Sequence, residues 1–450
     1  MNENNLKSIS PIDGRYSKIS NKISSYFSEY ALIKYRVYVE IEYFKALCDI
    51  PLKQLASISS SDKKKISAIA SKFSLENANR IKKIEQKINH DVKAVEYFIK
   101  EEFDDLGLKN YKEFIHFGLT SQDINNTATP LMLKFCLKNI LLPSLGDVLK
   151  LLKNKADDFI NISMIARTHG QAASPTTFGK EINVFYERIK NQLNLLYKIP
   201  NNGKFGGASG NLNAHYVSYP SIDWDNFSNK FLKRLGLERS KPTTQIEHYD
   251  NMAAIFHNLS RINTILIDFC KDIWHYISIN YLIQKVNKKE VGSSAMPHKI
   301  NPIDFENAEG NLMLANSLYT FFAEKLPISR LQRDLTDSTI SRNIGLPLAY
   351  SKIAFDSIIK GINKLDIEKE TIEKDLNNNW AVVSEAIQTI LRREKISNPY
   401  ELLKDLTRSN DKITKESISK FINDLPINQK IKDELSKITP KNYIGNSNKK

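Results

Sequence analysis

The segment GSSAMPHKINP, which spans residues 292–302, combines two hydroxyls, an imidazole, an ammonium and two prolines after a flexible glycine. Pro302 suits the first position of a helix and Asn301 can cap that helix, so a helix N-terminus faces the segment. Free backbone N–H groups and the positive end of the helix dipole favour an anion there, and Lys299 adds a full positive charge. The alternative, a solvated loop between helices, has no need of this mixture. The segment therefore predicts a binding site for a carboxylate or phosphate, with hydroxyls beside it.

Long helices are the elements expected to position this segment. Between Pro242 and Gly292 the chain has neither glycine nor proline, and apolar residues recur at spacings of three and four from Ile255 to Ile277. This period is typical of a helix that packs against other helices. A helix over residues 245–283 would be about 55–60 Å long at about 1.5 Å per residue, too long for one small domain to cover. The sequence predicts an all-α fold with a bundle of long helices whose apolar faces are shared with other copies of the chain.

Length and composition indicate the domain organisation. The chain has 450 residues with only 16 glycines and 15 prolines. This length predicts two or three domains, and the scarcity of turn-forming residues favours long helices over many short strands. Candidate junctions lie at 107–114 and 364–370. They divide the chain into an N-terminal helical domain over 1–110, a central long-helix bundle over 111–364 and a C-terminal helical domain over 365–450.

The formal net charge of +14 raises the question of a nucleic-acid partner. The lysines are spread along the chain without an arginine-rich stripe or interleaved aromatic residues, so no such partner is expected, and the positive field would attract anionic nucleotides instead. Cys48, Cys136 and Cys270 are far apart and lack metal spacing, which predicts reduced packing residues in a cytosolic protein. No secretion leader and no apolar run of about 18 residues occur, so no membrane segment is expected.

Seven further blocks of the sequence accompany the 292–302 segment. Together with the Met-Pro-His-Lys run that contains His298, they resemble the adenylosuccinate lyase family of the fumarase/aspartase superfamily, in the family's order and over nearly the whole chain. The resemblance is closest to bacterial members with long terminal segments, and seven ordered blocks are very hard to obtain by chance. The blocks are ISPIDGRYS (9–17), NHDVKAVEY (89–97), FIHFGLTSQDINNT (114–127), RTHGQ (167–171), TTQIE (243–247), ENAEGN (306–311) and RDLTDSTISRN (333–343).

The resemblance implies both an architecture and an activity. The implied fold is the three-domain fumarase/aspartase-like fold, whose central helix bundle forms the core of a homotetramer with active sites that draw residues from three subunits. The implied activity is elimination of fumarate from adenylosuccinate to give AMP, and from the succinylated aminoimidazole carboxamide ribotide (SAICAR to AICAR) in purine biosynthesis. Neither a metal nor an organic cofactor is implied, and the substrates are small succinyl-purine nucleotides in the cytoplasm.

The same resemblance assigns catalytic roles. Elimination needs a base for a carbon-bound proton, an acid for the departing nitrogen and an anion clamp for the carboxylate whose charge grows. Ser293 is expected to be the base and His169 the general acid, since a histidine can deliver a proton near pH 7. His90 resembles the second active-site histidine, which orients the substrate, and Lys299 is expected to hold the carboxylate. Glu306 either pairs with an imidazole or is a glutamate on a helix surface.

A second set of residues resembles the family's contacts to the nucleotide and the succinyl group. Its guanidinium groups suit a phosphate, which enzymes with fumarate-sized substrates need not bind. The remaining histidines, His116, His215, His248, His257 and His275, are expected to be structural or surface residues. The expected substrate-binding residues are Arg15, Tyr16, Asn89, His90, Asp91, Thr120, Ser121, Gln245, Ser294, Lys299, Asn301, Asn307, Arg333, Ser338 and Arg342.

Two alternatives stay open from the sequence. Another member of the superfamily, an argininosuccinate lyase or the carboxymuconate cycloisomerase, would not need the phosphate contacts expected of Arg15 and Arg333. A non-catalytic helical oligomer descended from such an enzyme would have no use for the complete set of acid and base candidates.

Overall fold

The computed structural model describes residues 6–285, 296, 299–408 and 413–449, with side chains for all of these except 405–408. Helices dominate this part of the chain, which confirms the predicted helical fold. The α-helices run over Ser17–Ser24, Glu29–Leu47, Ser60–Ser71, Leu75–Ile88, Asp91–Asp105, Ser121–Cys136, Leu142–Asp158, Phe178–Leu196, Asn213–Ser218, Trp224–Arg234, Asp250–Ser278, Ile303–Lys325, Thr336–Ser341, Gly345–Lys364, Lys369–Asn378, Ser384–Arg393, Pro399–Arg408, Lys415–Asp424 and Gln429–Ser436. Short 3₁₀ turns cover Lys53–Leu55, Lys109–Phe114 and Trp380–Val383, and a π turn covers Leu137–Leu141.

The longest of these helices is shorter than the sequence predicted. It covers Asp250–Ser278, which is 29 residues, instead of 245–283. Tyr249 and Asn280 have φ angles of 62° and 57°, and such left-handed residues interrupt the helical hydrogen-bond pattern at both ends. The predicted apolar face is present, because Leu259, Ile262 and the other apolar residues at this spacing as far as Ile273 are buried.

Three two-stranded sheets accompany the helices, and the sequence analysis predicted none of them. Ser163–Thr168 pairs antiparallel with Gln171–Thr177, and we call this pair the His169 hairpin. The other two sheets pair Asn202–Gly203 with Glu238–Arg239 in parallel and Leu282–Gln284 with Leu365–Ile367 antiparallel.

The chain divides into two compact units, each built from three separate ranges. Unit 1 contains 1–145, 192–264 and 310–356, and unit 2 contains 146–191, 265–309 and 357–450. Several long helices contribute residues to both units, so the units differ from consecutive domains. The three-domain division stays a prediction.

The helix Glu29–Leu47 lies at the centre of an apolar core in unit 1. It contacts the helices Ser60–Ser71, Asp91–Asp105 and Ser121–Cys136, and the Phe44 ring meets another core phenylalanine edge-on with centroids 4.9 Å apart. Full burial of each large apolar side chain contributes about 1.5–3 kcal/mol. This core fixes the ends of helices that carry polar residues of the candidate site.

A second apolar cluster lies in unit 2, within the C-terminal part of the chain. It includes Ile387, Leu391 and Ile422, which come from helices that each have an apolar and a polar face. The cluster supports the C-terminal segments that contact the His169 hairpin.

Candidate active site

The Asn-His-Asp corner of unit 1 is a junction between two helices. The helix Leu75–Ile88 ends at Asn89, whose φ of 54° is left-handed, a conformation that asparagine tolerates better than most residues. His90 then caps the helix Asp91–Asp105, because its Nδ1 accepts a hydrogen bond from the Lys93 backbone N–H at 3.1 Å. An accepting Nδ1 places the imidazole proton on Nε2, which is the nitrogen available to a ligand.

Asp91 lies between two guanidinium groups. Its Oδ2 is 2.7 Å from Arg36 Nη2 and 3.0 Å from Arg342 Nη2. Burial alone would raise the pKa of Asp91, but the pairing with Arg36, the Val92 amide and Arg342 outweighs burial and lowers that pKa. Arg342 also donates to Glu29 at 2.7 Å. The structure thus brings the predicted residues Asp91 and Arg342 together and adds Arg36, which is only 3% exposed.

Arg333 is the centre of a second polar group in unit 1. It donates to the Gln245 side chain at 3.2 Å through Nη1 and to the Ser338 hydroxyl at 3.2 Å through Nη2. The Gln122 amide satisfies the same guanidinium when its oxygen faces Arg333, and that oxygen then accepts from Nη2 at 2.6 Å. Three predicted binding residues, Arg333, Gln245 and Ser338, are therefore in contact.

A cavity of about 90 Å³ in unit 1 is lined by residues of both polar groups, including Arg36, Gln122, Ser338 and Arg342. Arg36 Nη1 and Asp337 Oδ1 are buried atoms that find no hydrogen-bond partner within the described part of the chain. Unpaired buried polar atoms are costly, so this cavity offers a donor and an acceptor to water or to a ligand group.

Thr120 and Ser121 stand at the N-terminus of the helix Ser121–Cys136. The Thr120 N–H donates to Asp123 Oδ2 at 2.8 Å in a capping box. Asp123 also pairs with Lys204 at 2.7 Å, and both side chains are fully buried. Burial lowers the pKa of Lys204, and the Asp123 carboxylate opposes that shift. The helix N-terminus is therefore fixed in place, and its dipole favours a carboxylate near Thr120 and Ser121.

His116, which the sequence predicts to be a structural or surface residue, is a half-buried residue that pairs with Glu40. Its Nδ1 is 2.5 Å from Glu40 Oε1, and Glu40 is buried. Burial alone would lower the pKa of His116, but the Glu40 carboxylate outweighs burial and raises it. Arg36 and Glu40 are both buried and lie one turn apart on the mostly apolar helix Glu29–Leu47. Two charged residues at that spacing in an apolar stretch were the sequence signal for both.

The remaining unit 1 residues of the predicted set are Arg15 and Tyr16, which lie near the N-terminal end of the described chain. Arg15 and Tyr16 precede the helix Ser17–Ser24, and the Arg15 guanidinium lies 5.9 Å from the centre of the Tyr16 ring. Arg15 is exposed and Tyr16 half-buried. Their predicted contacts with a nucleotide stay predictions.

In unit 2, His169 occupies the turn of the His169 hairpin. The register pairs Thr168 with Gln171, so His169 and Gly170 form a two-residue turn. Their φ angles are 52° and 75°, and two positive φ values identify a type I′ turn, which suits a right-twisted hairpin. A histidine in this conformation is strained, because its side chain disfavours positive φ. His169 is exposed at this turn.

The other unit 2 residues of the predicted set surround the start of the helix Ile303–Lys325. Asn301 and Lys299 precede this helix, and Lys299 is exposed. Glu306 Oε1 accepts from the Trp274 indole at 3.1 Å, and Asn307 Oδ1 accepts from a serine hydroxyl at 2.9 Å. The predicted pairing of Glu306 with an imidazole stays a prediction. Ser293, Ser294 and His298 lie outside the described residues.

Within the described ranges, no group of three or more histidine, cysteine, aspartate or glutamate side chains is arranged to hold a metal ion. None of the helices described is long and apolar enough to cross a membrane.

Comparison with known proteins gives the chain its family. A family model for lyases matches residues 14–316, and a model for the adenylosuccinate lyase C-terminal region matches residues 329–444. A protein named adenylosuccinate lyase from Dictyostelium discoideum is 57% identical over 98% of this chain and 97% of its own length. The chain belongs to the adenylosuccinate lyase family. A second adenylosuccinate lyase, from Buchnera aphidicola subsp. Schizaphis graminum, is 48% identical over 99% of this chain and 98% of its own. These matches confirm the predicted family.

A solved structure supports the fold of this adenylosuccinate lyase family member. The fumarate lyase from Mesorhizobium sp. BNC1 superposes with a TM-score of 0.75 over 95% of this chain and 96% of its own, at 18% identity. At that identity the likeness establishes a shared fold and no more.

Several contributors to the site were missed by sequence reasoning, among them Arg36, Asp123 and Asp337. Arg36 lies outside every block that resembles the adenylosuccinate lyase family, and Asp123 and Asp337 lie inside such blocks but were not singled out. Asp337 accepts a hydrogen bond from the Tyr249 hydroxyl at 3.0 Å and lines the cavity. An acidic residue next to a predicted binding serine or threonine was the available signal.

Proposed function

We propose that this protein is an adenylosuccinate lyase, a carbon–nitrogen lyase that eliminates fumarate from adenylosuccinate to give AMP. We propose that it also converts SAICAR to AICAR in purine biosynthesis. The observation that carries this proposal is the 57% identity with an adenylosuccinate lyase over almost the full length of both chains. The substrates are then small succinyl-purine nucleotides.

The guanidinium groups of unit 1 support a nucleotide substrate. Arg333 and Arg342 each contact a residue that resembles the family's binding set. Arg333 donates a hydrogen bond to Ser338, and Arg342 forms an ion pair with Asp91. A planar guanidinium presents paired donors that match a phosphate, and Ser338 adds a hydroxyl donor. Arg342 pairs with the carboxylates of Glu29 and Asp91. These contacts orient its N–H donors and partly neutralise its positive charge.

The elimination follows from the chemistry of the substrate. A base removes a proton from the succinyl carbon next to a carboxylate, the carbon–nitrogen bond breaks, and the departing nitrogen takes up a proton. We assign Ser293 as the base and His169 as the acid. Lys299 and Asn301 are assigned to the carboxylate that gains charge, since an ammonium and an amide donor stabilise such an oxyanion. His90 is assigned to substrate orientation, with Nε2–H as its donor.

We propose that the enzyme is a cytoplasmic homotetramer whose active sites draw residues from three subunits. Exposed apolar side chains on the helix Ile303–Lys325 support an assembly, because Met313 is 57% exposed, Leu314 51% and Phe321 46%. Several large apolar groups on one helix are more exposed than a monomeric surface helix normally allows. The three-domain organisation over 1–110, 111–364 and 365–450 is part of the same proposal.

The decisive experiment follows the ultraviolet absorbance of adenylosuccinate when the purified protein is added, with argininosuccinate in parallel. Loss of the succinyl-purine signal with release of fumarate, and no change in argininosuccinate, is the expected result. An assembled protein that leaves adenylosuccinate untouched would refute the proposal and favour the cycloisomerase or a non-catalytic oligomer.

Substitutions at the acid and base test the assigned roles. Ser293→Ala and His169→Ala should each lower kcat by roughly 10²–10⁴-fold, the usual contribution of a positioned acid or base. Both variants should keep the oligomeric state of the wild type on size exclusion. Loss of assembly in both would assign them structural roles instead.

A further inference from the structure

The C-terminal part of the chain contacts the His169 hairpin through a carboxylate, and this contact has a consequence for catalysis. We propose that Asp375 is a positioning residue that holds the turn bearing His169 in its catalytic place. The proposal rests on the proposed function, in which His169 protonates the departing nitrogen. Asp375 itself touches neither the hairpin turn nor the reacting atoms and acts through Arg167.

Asp375 collects three hydrogen bonds from three different parts of unit 2. Its Oδ2 accepts from Arg167 Nη2 on the hairpin at 2.6 Å and from the Tyr281 hydroxyl. Its Oδ1 accepts from Asn379 Nδ2 at 2.9 Å, and the same amide donates to the Asp375 backbone carbonyl at 2.8 Å. Tyr281 is itself buried, and its carbonyl accepts from Glu368 N at 2.9 Å. Tyr281 and Asn379 therefore hold the Asp375 carboxylate in position, in addition to its contact with Arg167 on the hairpin.

Arg167 is the residue through which this anchor reaches the turn. It lies two residues before His169, and its strand partner is Ala172, one pair away from the turn. Its ion pair with Asp375 is a charge-assisted hydrogen bond, which is stronger than a hydrogen bond between neutral groups. Fixing Arg167 fixes the direction in which the chain enters the turn.

The turn needs such support because it is intrinsically unstable. An isolated two-stranded hairpin is marginal in water, and a non-glycine residue held at positive φ costs on the order of 1–3 kcal/mol. His169 has a φ of 52°. Strained residues persist only when the surrounding structure determines their conformation, so contacts close to the turn control how well the imidazole is placed.

Other contacts between the hairpin and the C-terminal part lie farther from the turn. The Ser163 hydroxyl donates to the Lys441 carbonyl at 2.7 Å, and the Thr177 hydroxyl donates to the Ser447 carbonyl at 3.0 Å. Ser163 and Thr177 face each other at the open end of the ladder. The Ser163 contact therefore provides a matched control: it ties the same hairpin to the same part of the chain at the opposite end from His169.

The experiment measures steady-state kinetics of the full-length enzyme with adenylosuccinate. Asp375→Ala should lower kcat by roughly 10–100-fold, because a displacement of about 1 Å in a catalytic group costs up to that much, while KM changes by less than about threefold. Asp375→Asn should recover part of kcat, since its amide oxygen can still accept from Arg167 and Tyr281, whereas its NH2 group cannot accept from Asn379. Ser163→Ala should keep the wild-type kcat.

A second measurement separates positioning from general destabilisation. In a His169→Gln background the general acid is already absent, so adding Asp375→Ala should lower the residual kcat by less than about twofold. A further loss as large as in the wild type would overturn the proposal, because Asp375 would then act on some other group. Tyr281→Phe, which removes one donor and keeps the ring, provides the same test if Asp375→Ala does not fold, with a smaller loss of kcat expected.

The outcomes also separate this inference from the proposed function. Wild-type protein that does not consume adenylosuccinate would refute the function. Full kcat in His169→Gln would refute the role of His169. Full kcat in Asp375→Ala, with kcat lost in His169→Gln, would refute the positioning role alone.

Discussion

His215 makes the stability of unit 1 depend on pH in a direction that can be worked out from its contacts. Its Nε2 is 2.9 Å from the Tyr43 hydroxyl, which donates its own proton to the Phe117 carbonyl at 2.6 Å. Nε2 must therefore carry the imidazole proton, and Nδ1 is a buried atom that finds no partner among the residues the structure describes. The ring is fully buried against Trp224, with centroids 4.8 Å apart. Burial lowers the pKa of His215 to about 4.

The magnitude follows from the difference between the folded and unfolded pKa values. The folded pKa is about 4 and the usual value is 6.5, so the unfolded chain takes up the proton first as the pH falls. The contribution of neutral His215 to stability is complete above about pH 6.5 and is lost as the pH falls towards 4. At pH 5 the difference spans about 1.5 pKa units, which corresponds to about 2 kcal/mol.

The perturbation that isolates this effect is His215→Phe, which keeps an aromatic ring and removes the titrating group. The Tyr43 hydroxyl keeps its acceptor at Phe117, so the cost at pH 7 should be modest, below about 1.5 kcal/mol. Melting temperatures at pH 7 and pH 5 and at one protein concentration should then show that the wild type loses about 2 kcal/mol more than the variant. That corresponds to roughly 4–8 °C for a domain of this size.

An exposed histidine gives the matched control for this measurement. His257→Gln should follow the wild-type pH dependence, because His257 is exposed on the helix Asp250–Ser278. Equal loss of stability between pH 7 and pH 5 in the wild type and in His215→Phe would refute the reasoning, since it would mean that His215 is protonated equally in the folded and unfolded chain.

Three further predictions concern residues of the candidate site. Lys204→Met leaves the buried Asp123 carboxylate without its cation and should cost about 3–5 kcal/mol of unfolding free energy. Adding Asp123→Asn should restore part of that loss in urea unfolding, because its amide oxygen can still accept from backbone N–H groups, and a double variant less stable than Lys204→Met would contradict this. Arg36→Met removes the support of Asp91 and should raise KM for adenylosuccinate about tenfold, equivalent to the ~1.4 kcal/mol of one charge-assisted hydrogen bond, whereas an unchanged KM would count against it. His169→Asn creates the Asn-Gly pair that type I′ turns prefer, so it should raise the melting temperature slightly while lowering kcat by roughly 10²–10⁴-fold, and a lower melting temperature would argue against strain in this turn.

Much of the helical fold was predictable because its signals are local. Apolar residues at spacings of three and four identified the face of the helix Asp250–Ser278 that is buried. Its ends were misplaced by about five residues each, since no glycine or proline marks them and the left-handed residues Tyr249 and Asn280 are not ones that the spacing reveals. The His169 hairpin was missed for a related reason, because His-Gly is not the usual type I′ dipeptide and the paired strands are short.

The sequence by itself determined the family, the chemistry-bearing blocks and the periodic faces of the long helices, because these depend on residues close together along the chain. The tertiary structure alone decided which distant groups pair. Lys204 meets Asp123 across 81 residues, and Arg167 meets Asp375 across 208. Backbone preferences and side-chain periodicity act over one or two turns, whereas a buried carboxylate is satisfied by whichever cation the packing brings to it. A single sequence has no local signal for such a pairing. The contacts of Asp91 and the contact that links Asp375 to the His169 hairpin could therefore be seen only in the tertiary structure.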